Sequence, residues 1–189
     1  MRIVGGKMRG VTLYGPKNKK TRPLKDLARE SIFNIIQHSN KILFKFEKSN
    51  ILDLYAGTGS FGLECLSRQA ENVYFIEKRK DVIEILNRNI EKLKLKKKTK
   101  VFSKDVFHLI KKISIFDTKF DLIFCDPPFE DNSVEKLIEL IFSKNLLKKN
   151  GIIIIHRKKN TDDKFENYFK VIDERTYGMS KIIFGKFLL

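Results

Sequence analysis

The sequence has few cysteines, no long apolar run and a shortage of acidic residues. Its two cysteines, Cys65 and Cys125, lie inside apolar stretches without the C-x-x-C spacing of a metal site, so we predict two buried reduced thiols and no metal. No segment approaches the roughly 20 apolar residues that span a bilayer, and the first residues lack the apolar core of a secretory signal. We therefore expect a cytoplasmic protein that does not enter membranes.

The shortage of acidic residues makes the chain strongly basic. Its 189 residues, enough for one domain with a substantial core, include 23 acidic residues against 39 lysines and arginines, a formal net charge of +16. Because neutralising phosphates releases counterions, such a charge favours a nucleic-acid partner. The excess is mostly lysine, so a lysine-rich solvated surface with no such partner is the alternative interpretation.

Apolar segments in the larger, later part of the chain alternate between strand and helix patterns. Strands are predicted at 51–55, 73–77, 101–102, 121–125, 152–155, 169–173 and 181–187, and helices at about 61–67, 82–95, 106–113 and 134–143. Strands that are apolar on both faces and joined by helices form a parallel sheet covered on both sides. The predicted fold class is therefore α/β, doubly wound and Rossmann-like, mostly parallel with an antiparallel C-terminal strand.

The first residues have a different pattern. Residues 2–13 read as two short strands around a glycine turn, which predicts an N-terminal β-hairpin. A basic loop over 17–23 follows, and then a helix from about Leu24 to Ser39. We predict one domain, 1–189, in which 1–23 form the hairpin and loop, and 24–189 form the helix and the α/β core.

A glycine-rich segment lies where the first strand turns into a helix, and it reads Asp53-Leu-Tyr-Ala-Gly57-Thr-Gly59-Ser-Phe61-Gly62. Glycines let the backbone approach a ligand closely, and a helix N-terminus offers unpaired N–H groups. Glu77 closes the second strand about 20 residues later, where an acid accepts ribose hydroxyls. The spacing predicts an adenosyl cofactor, and it fits NAD and S-adenosylmethionine alike.

Asp105 follows the third strand and extends this predicted site. Its carboxylate can accept a hydrogen bond from an adenine amino group, with Val106 or Phe107 beside the ring. The alternative is that Asp105 caps the following helix, a role for which Asp is well suited. The two roles are compatible.

The segment Asp126-Pro127-Pro128-Phe129 ends the fourth strand, next to the predicted cofactor crevice. Consecutive prolines fix the backbone, so the Asp side chain and the neighbouring carbonyls are held rigidly. Two acceptors that grip the hydrogens of an exocyclic base amine would aim its lone pair at a methyl donor, and Phe129 would stack on the base. A dehydrogenase has no use for this element, so methyl transfer is favoured over hydride transfer.

The chain resembles the RsmD family of small-subunit (16S) ribosomal RNA guanine-N2 methyltransferases along nearly its whole length. The shared positions are 2–6, 9–10, 22–23, Asp26, 29–34, 52–64, 66–68, Asp126–Phe129 and Tyr177-Gly178. The N-terminal ones discriminate, because the glycine loop and D-P-P-F also occur in DNA adenine-N6 methyltransferases. The resemblance implies a class I methyltransferase sheet, S-adenosylmethionine as cofactor and small-subunit rRNA as partner, in an assembling particle.

The resemblance also implies roles for individual residues. The cofactor site would comprise Asp53, Ala56, Gly57, Thr58, Gly59, Phe61, Glu77, Asp105 and Val106. The target guanine would be held by Asp126 to Phe129. Phosphates of the RNA would meet Arg2, Lys7, Arg9, Arg22 and Arg29, although each of these cations is equally well explained as a solvated or helix-paired charge.

Some positions depart from the family pattern. The family usually has Thr and Arg where this chain has Leu24 and Leu27, and often an acid just past the fifth strand, where this chain has His156 followed by Arg157. These departures concern the RNA contacts more than the reaction. The alternatives are a DNA adenine-N6 methyltransferase, an NAD-binding oxidoreductase and a non-catalytic RNA-binding assembly factor. We expect a monomer.

Overall fold

The computed structural model describes residues 1–16, 26–112 and 115–188. Within them, seven strands form one sheet in the order β3-β2-β1-β4-β5-β7-β6. The strands are β1 (Asn50–Leu54), β2 (Asn72–Glu77), β3 (Thr99–Ser103), β4 (Phe120–Cys125), β5 (Leu147–Lys158), β6 (Phe169–Tyr177) and β7 (Ser180–Phe187). Strands β1 to β5 pair in parallel, and β7 runs antiparallel to both β5 and β6. The predicted mostly parallel sheet with an antiparallel C-terminal strand is confirmed.

Helices cover both faces of this sheet. They are α1 (Asp26–His38), α2 (Ser60–Ser67), α3 (Lys80–Lys92), α4 (Val106–Lys111) and α5 (Val134–Ser143). Helices α1, α2 and α3 pack on the face that holds Phe124 and Ile154, whereas α4 and α5 pack on the face that holds Ile123 and Ile155. Because successive strand side chains point to opposite faces, both faces must be apolar, and the doubly wound arrangement follows.

One helix boundary and the two thiols can be compared with the sequence predictions. Helix α3 ends before residue 95, because Lys94 takes a left-handed φ of 57° and the N–H of Leu95 returns to the carbonyl of Ile90. Both Cys65 and Cys125 are buried as predicted, and burial raises the pKa of each thiol. In the described parts of the chain, no helix has the length and apolarity that a membrane span requires.

The N-terminal segment, residues 1–16, is not the predicted hairpin of two strands. Its two arms share one isolated bridge, between Arg2 and Thr12, and the turn between them includes a short 3-10 helix at Gly6–Met8. The N–H of Ile3 still donates across the loop to the carbonyl of Val11 at 3.0 Å. The arms therefore face each other, but a ladder does not extend along them.

Helix α2 holds the turn between the two arms. The carboxylate of Glu64 accepts from the N–H of Val4 at 2.7 Å, and the hydroxyl of Ser67 accepts from the N–H of Met8 at 2.9 Å. Gly6 has a φ of +74°, and a Cβ there would lie 2.0 Å from the carbonyl oxygen of Ser67. Close attachment to α2 therefore requires glycine at this position.

A second attachment lies at the far end of the segment, where Asn89 of α3 is fully buried. Its side-chain oxygen accepts from the N–H of Tyr14 at 2.8 Å, and its amide group donates to the carbonyls of Tyr14 at 3.1 Å and Thr58 at 3.0 Å. The guanidinium of Arg88 lies 4.3 Å from the centre of the Tyr14 ring. Asn89 therefore joins the N-terminal segment to the glycine loop.

We expect Asn89→Ala to lower the free energy of unfolding by about 2–3 kcal/mol, because it leaves buried backbone groups without partners. It should also make residues 1–16 cleavable at lower protease concentration. Urea unfolding and limited proteolysis measure the two effects. The matched control is Asn87→Ala on the exposed side of the same helix, for which we expect a change within about 0.5 kcal/mol. Equal losses for both variants would contradict the attachment.

Candidate active site

A cavity of about 480 Å³ lies at the carboxyl ends of the central strands. There the sheet order reverses, because β1 pairs with β2 on one side and with β4 on the other. Ligands of open α/β sheets bind at this kind of switch point. The cavity lining includes Asp126, Pro127, Pro128 and Phe129, together with Ala56, Gly57, Thr58, Glu77, Asp105 and Val106. The structure therefore brings the predicted base-holding segment and most of the predicted cofactor residues to one place.

The two glycines of the loop serve different purposes. Both have positive φ, 55° at Gly57 and 84° at Gly59. A Cβ on Gly59 would lie 2.3 Å from a methyl carbon of Leu86, so this glycine allows α3 to pack against the loop. A Cβ on Gly57 would have no protein atom within 4 Å. The absence of a side chain at Gly57 thus leaves open space beside the cavity, as a closely approaching ligand requires.

Asp53 and Phe61, which were expected to line the cofactor site, lie behind the loop instead, and Gly59, expected there too, lies in the loop on the side of α3. Asp53 is only 1% exposed, and its carboxylate accepts from the N–H of Gly62 at 3.0 Å. Phe61 is buried, and its ring stacks on that of Phe124 at a centroid distance of 3.8 Å. These residues shape and support the loop, and the expectation that they line the cavity is corrected.

The carboxyl of Asp53 is electrostatically unfavourable in its ionised form. Its pKa is raised well above the usual 3.8, chiefly because burial removes the charge from water. The hydrogen bond from Gly62 acts in the opposite direction, and the nearby carboxylates of Asp126 and Glu77 raise the pKa further. Three acidic side chains thus lie at the same end of the sheet, and burial disfavours the ionised form of Asp53.

The carboxylate of Glu77 fixes the other side of the loop. One oxygen accepts from the backbone N–H groups of Lys78 and Arg79 at 2.9 Å each, and the other accepts from the N–H of Gly57 at 3.0 Å. A carboxylate offers about four lone-pair directions, so the second oxygen keeps room for one further donor. A ribose hydroxyl meets that requirement.

Asp105 has the capping role that was considered for it and also lines the cavity. One of its oxygens accepts from the N–H groups of Phe107 at 3.0 Å and His108 at 3.2 Å, which caps α4. The other oxygen lies 3.9 Å from the ammonium of Lys78. This second oxygen takes no part in the cap, so capping does not prevent Asp105 from accepting a hydrogen bond in the cavity.

Several residues of the cavity lining were not assigned from the sequence, and Tyr55 and His156 are two of them. Tyr55 follows the last residue of β1 with a φ of 60°, which is rare for a bulky side chain. His156 lies on β5, and its Nδ1 is 2.8 Å from an oxygen of Asp126. Each lies beside or just past the carboxyl end of a buried apolar run, which is the signal that could have identified both.

The predicted RNA-facing cations separate into three groups. Arg2, Lys7 and Arg9 are exposed on the N-terminal segment. Arg29 is fully buried, and its guanidinium donates to the carbonyl of Arg2 at 2.6 Å, so it joins α1 to the N-terminal segment and cannot meet a phosphate in this conformation. That expectation was wrong for Arg29. Arg22 and Leu24 lie outside the described residues.

Comparisons with known proteins find a matching family model and relatives that are named as methyltransferases. A family model described as conserved hypothetical protein 95 matches residues 1–186. The ribosomal RNA small subunit methyltransferase D of Haemophilus influenzae is 32% identical over 180 residues, which cover 95% of this chain and 90% of that protein. The protein of the same name from Escherichia coli is 32% identical over 155 residues, which cover 82% and 73%.

Solved structures agree over the same extent. A candidate methyltransferase from Escherichia coli superposes with a TM-score of 0.82 at 26% identity, covering 99% of this chain and 97% of that chain. A candidate methylase from Haemophilus influenzae superposes with a TM-score of 0.80 at 29% identity, covering 100% and 98%. The similarity therefore includes the N-terminal segment as well as the sheet.

The raised pKa of Asp53 predicts a pH dependence of stability. The native protein keeps the Asp53 proton to a higher pH than the unfolded chain does, so the stability that this group contributes is full at low pH. That contribution declines as the pH rises from the unfolded pKa of 3.8 through the raised folded pKa. Asp53→Asn removes the titration, so we expect wild type to lose stability relative to this variant as the pH rises above about 4.

Chemical unfolding at a series of pH values measures the difference. The matched control is Asp162→Asn, whose side chain is 89% exposed and lies 4.0 Å from the ammonium of Lys164. We expect this control to follow the pH dependence of wild type. If the stability of Asp53→Asn also has the pH dependence of wild type, burial does not raise the pKa of Asp53.

Proposed function

The chain belongs to the RsmD family and has the class I methyltransferase fold, and we propose that it transfers a methyl group from S-adenosylmethionine to the exocyclic N2 of a guanine in small-subunit ribosomal RNA. The single observation that carries this proposal is the position of Asp126 to Phe129 in the cavity wall, beside the glycine loop. The relatives of the same family are named for small-subunit rRNA.

The described residues of the cavity fit the cofactor. Open space at Gly57 admits a close ligand, one oxygen of Glu77 keeps an acceptor direction for a ribose hydroxyl, and one oxygen of Asp105 is not used by its helix cap. S-adenosylmethionine supplies an electrophilic methyl group when it is bound. The protein must therefore present a nucleophile to this methyl group. No covalent intermediate with the protein is needed.

The base-holding segment, Asp126 to Phe129, is suited to that task. The lone pair of an exocyclic amine is delocalised into the ring, which makes the amine a poor nucleophile. A carboxylate oxygen of Asp126 and a backbone carbonyl of the segment would each accept one amine hydrogen, which favours a pyramidal nitrogen with its lone pair directed at the donor. Asp126 would then also accept the proton that the methylated nitrogen releases.

Two further features of the segment support this role. Pro127 and Pro128 have no N–H to offer and hold φ near −65°, so the acceptors keep their direction while the base enters. The ring of Phe129 is half-buried at the cavity and gives a flat apolar surface on which an unstacked base can lie.

RNA would approach over the N-terminal segment, residues 1–16. Arg2, Lys7 and Arg9 are exposed there, and Pro16 at its end lines the cavity. Cations at such places bind phosphates and orient the RNA without reading its sequence. We extend the proposal to a monomeric, cytoplasmic enzyme of one domain that acts on an assembling small subunit, with Arg22 as a further phosphate contact.

We expect Asp126→Ala to reduce kcat about 10³-fold, because it removes an acceptor that acts on the reacting amine. The affinity for S-adenosylmethionine should stay within about threefold, a free-energy change below 1 kcal/mol. Labelled S-adenosylmethionine is offered with naked rRNA, unmethylated small subunits, duplex DNA or no acceptor, and nucleoside analysis identifies the product. Glu47→Ala is the control, because this exposed acid precedes β1 at the opposite end of the sheet.

The product decides between the functions. N2-methylguanosine from RNA or subunits supports the proposal, N6-methyladenine from DNA supports a DNA enzyme, and no transfer by wild type despite bound cofactor refutes catalysis. An equal loss of cofactor affinity and kcat in Asp126→Ala would move Asp126 from the base site to the cofactor site.

We expect Gly57→Ala to weaken the binding of S-adenosylmethionine about tenfold or more, because it places a methyl group beside the cofactor and strains a left-handed backbone by about 1–2 kcal/mol. Isothermal titration calorimetry measures the affinity. Gly178→Ala is the matched control, since its φ is +58° and its Cβ would likewise meet no atom within 4 Å, but it lies in the turn between β6 and β7. If both variants bind like wild type, the loop does not carry the cofactor.

A further inference from the structure

We propose that His156 is a positioning residue for both ends of the base-holding segment. Through Nδ1 it fixes the carboxylate of Asp126, and through its ring it supports the ring of Phe129. This inference rests on the proposed function, because it concerns how that segment is prepared for a base.

The sheet register explains why these two side chains meet. β4 and β5 run in parallel, and Cys125 is paired with Ile155. One residue further on each strand, Asp126 and His156 lie side by side at the carboxyl edge. Side chains alternate between faces, and Phe124 and Ile154 belong to the same core cluster, so Asp126 and His156 emerge on the same face. The pair therefore follows from strand pairing and does not depend on a flexible loop.

The direction of the hydrogen bond between them depends on the tautomer of His156. We infer the tautomer in which Nδ1 carries the hydrogen and gives it to Oδ1 of an ionised Asp126, because an ionised carboxylate only accepts hydrogen bonds. His156 contacts Oδ1 of Asp126, and Arg157, the next residue on β5, is engaged with Asp163 at 3.0 Å. His156 thus holds one oxygen and leaves the other for an amine hydrogen.

The second ring nitrogen of His156 argues against a space-filling role. His156 is only 6% exposed, and its Nε2 is buried without a hydrogen-bond partner among the described residues. Leaving such an atom unpaired costs about 1–3 kcal/mol, so an apolar side chain of the same size would serve packing better. The contacts of Nδ1 with Asp126 and of the ring with Phe129 explain why a histidine stands here.

The ring of His156 also meets the aromatic ring of the segment. The ring centroids of His156 and Phe129 are 5.3 Å apart at an interplanar angle of 75°, an edge-to-face arrangement. One side chain therefore contacts the acceptor of the amine and the proposed stacking surface for the base. Because both contacts come from a buried strand, they fix the distance between these two groups before a base is bound.

Three substitutions separate these contacts from packing. His156→Asn keeps an N–H donor near the position of Nδ1, His156→Gln moves the donor outward to the position of Nε2, and His156→Leu removes it. We expect kcat for methyl transfer to small-subunit rRNA to fall about 10²-fold in the Gln and Leu variants, as a displacement of about 1 Å can produce. His156→Asn should keep kcat within about threefold and raise KM for RNA, because it loses only the ring contact.

The dissociation constant for S-adenosylmethionine, measured by calorimetry, should stay within about twofold in all three variants. Near-normal kcat in His156→Leu would overturn the proposal, as would an equal loss in the Asn and Leu variants. In an Asp126→Ala background, His156→Leu should reduce kcat by less than about twofold further, because residues that act as a unit are not additive. A full 10²-fold additional loss would show that His156 acts independently of Asp126.

A spectroscopic measurement tests the pair without any acceptor. Long-range ¹H–¹⁵N spectra of the imidazole rings, with His156 identified by its loss in His156→Asn, should show a proton on Nδ1 in wild type. Asp126→Ala should shift that tautomer toward Nε2. A bare Nδ1 in wild type would overturn the proposal. If wild type methylates none of the acceptors, the proposed function fails, and this spectrum still decides whether the pair exists.

Discussion

Parallel strand pairing at the centre of the sheet is the constraint on which the site depends. β1 lies between β2 and β4, and β4 continues the pairing to β5, so four strands end at the same edge. The glycine loop follows β1, Glu77 is the last residue of β2, and Asp126 comes directly after β4. Because side chains alternate along a strand, a slip of one residue in the β4–β5 register would send Asp126 and His156 to opposite faces. The register of the backbone therefore decides which side chains can act together.

The loop beside the cavity is fixed by polar side chains that hydrogen-bond to backbone atoms. Asp53 accepts from Gly62, Glu77 accepts from Gly57, and Asn89 donates to the carbonyl of Thr58. These bonds constrain the backbone of the loop. The energetic balance is uneven, since burial disfavours the charge on Asp53 while the bond to Gly62 favours it. A loop so constrained costs less to order when a ligand arrives.

Much of the sheet was predictable because its sequence signals are local. The apolar runs of β1, β2 and β4 gave their positions to within a residue or two, and the glycines and the D-P-P-F segment marked the ends where ligands bind. The N-terminal segment was less predictable. Its pattern suggests a hairpin, but only an isolated bridge joins the described arms, and the turn is held by Glu64 and Ser67, about 60 positions away. Burial of Arg29 has the same origin, because nothing near it in sequence reveals that the N-terminal segment covers it.

The sequence by itself determined the α/β class, the order of its elements and the residue types at the carboxyl edge, since these depend on periodicity, turn chemistry and spacing along the chain. Only the tertiary structure decided which of those residues act from behind the loop, as Asp53 and Phe61 do, and which meet across strands, as Asp126 and His156 do. The physical reason is that burial and cross-strand contact depend on register between segments 30 residues apart. The sequence of one strand does not show which residues of the neighbouring strand lie beside it.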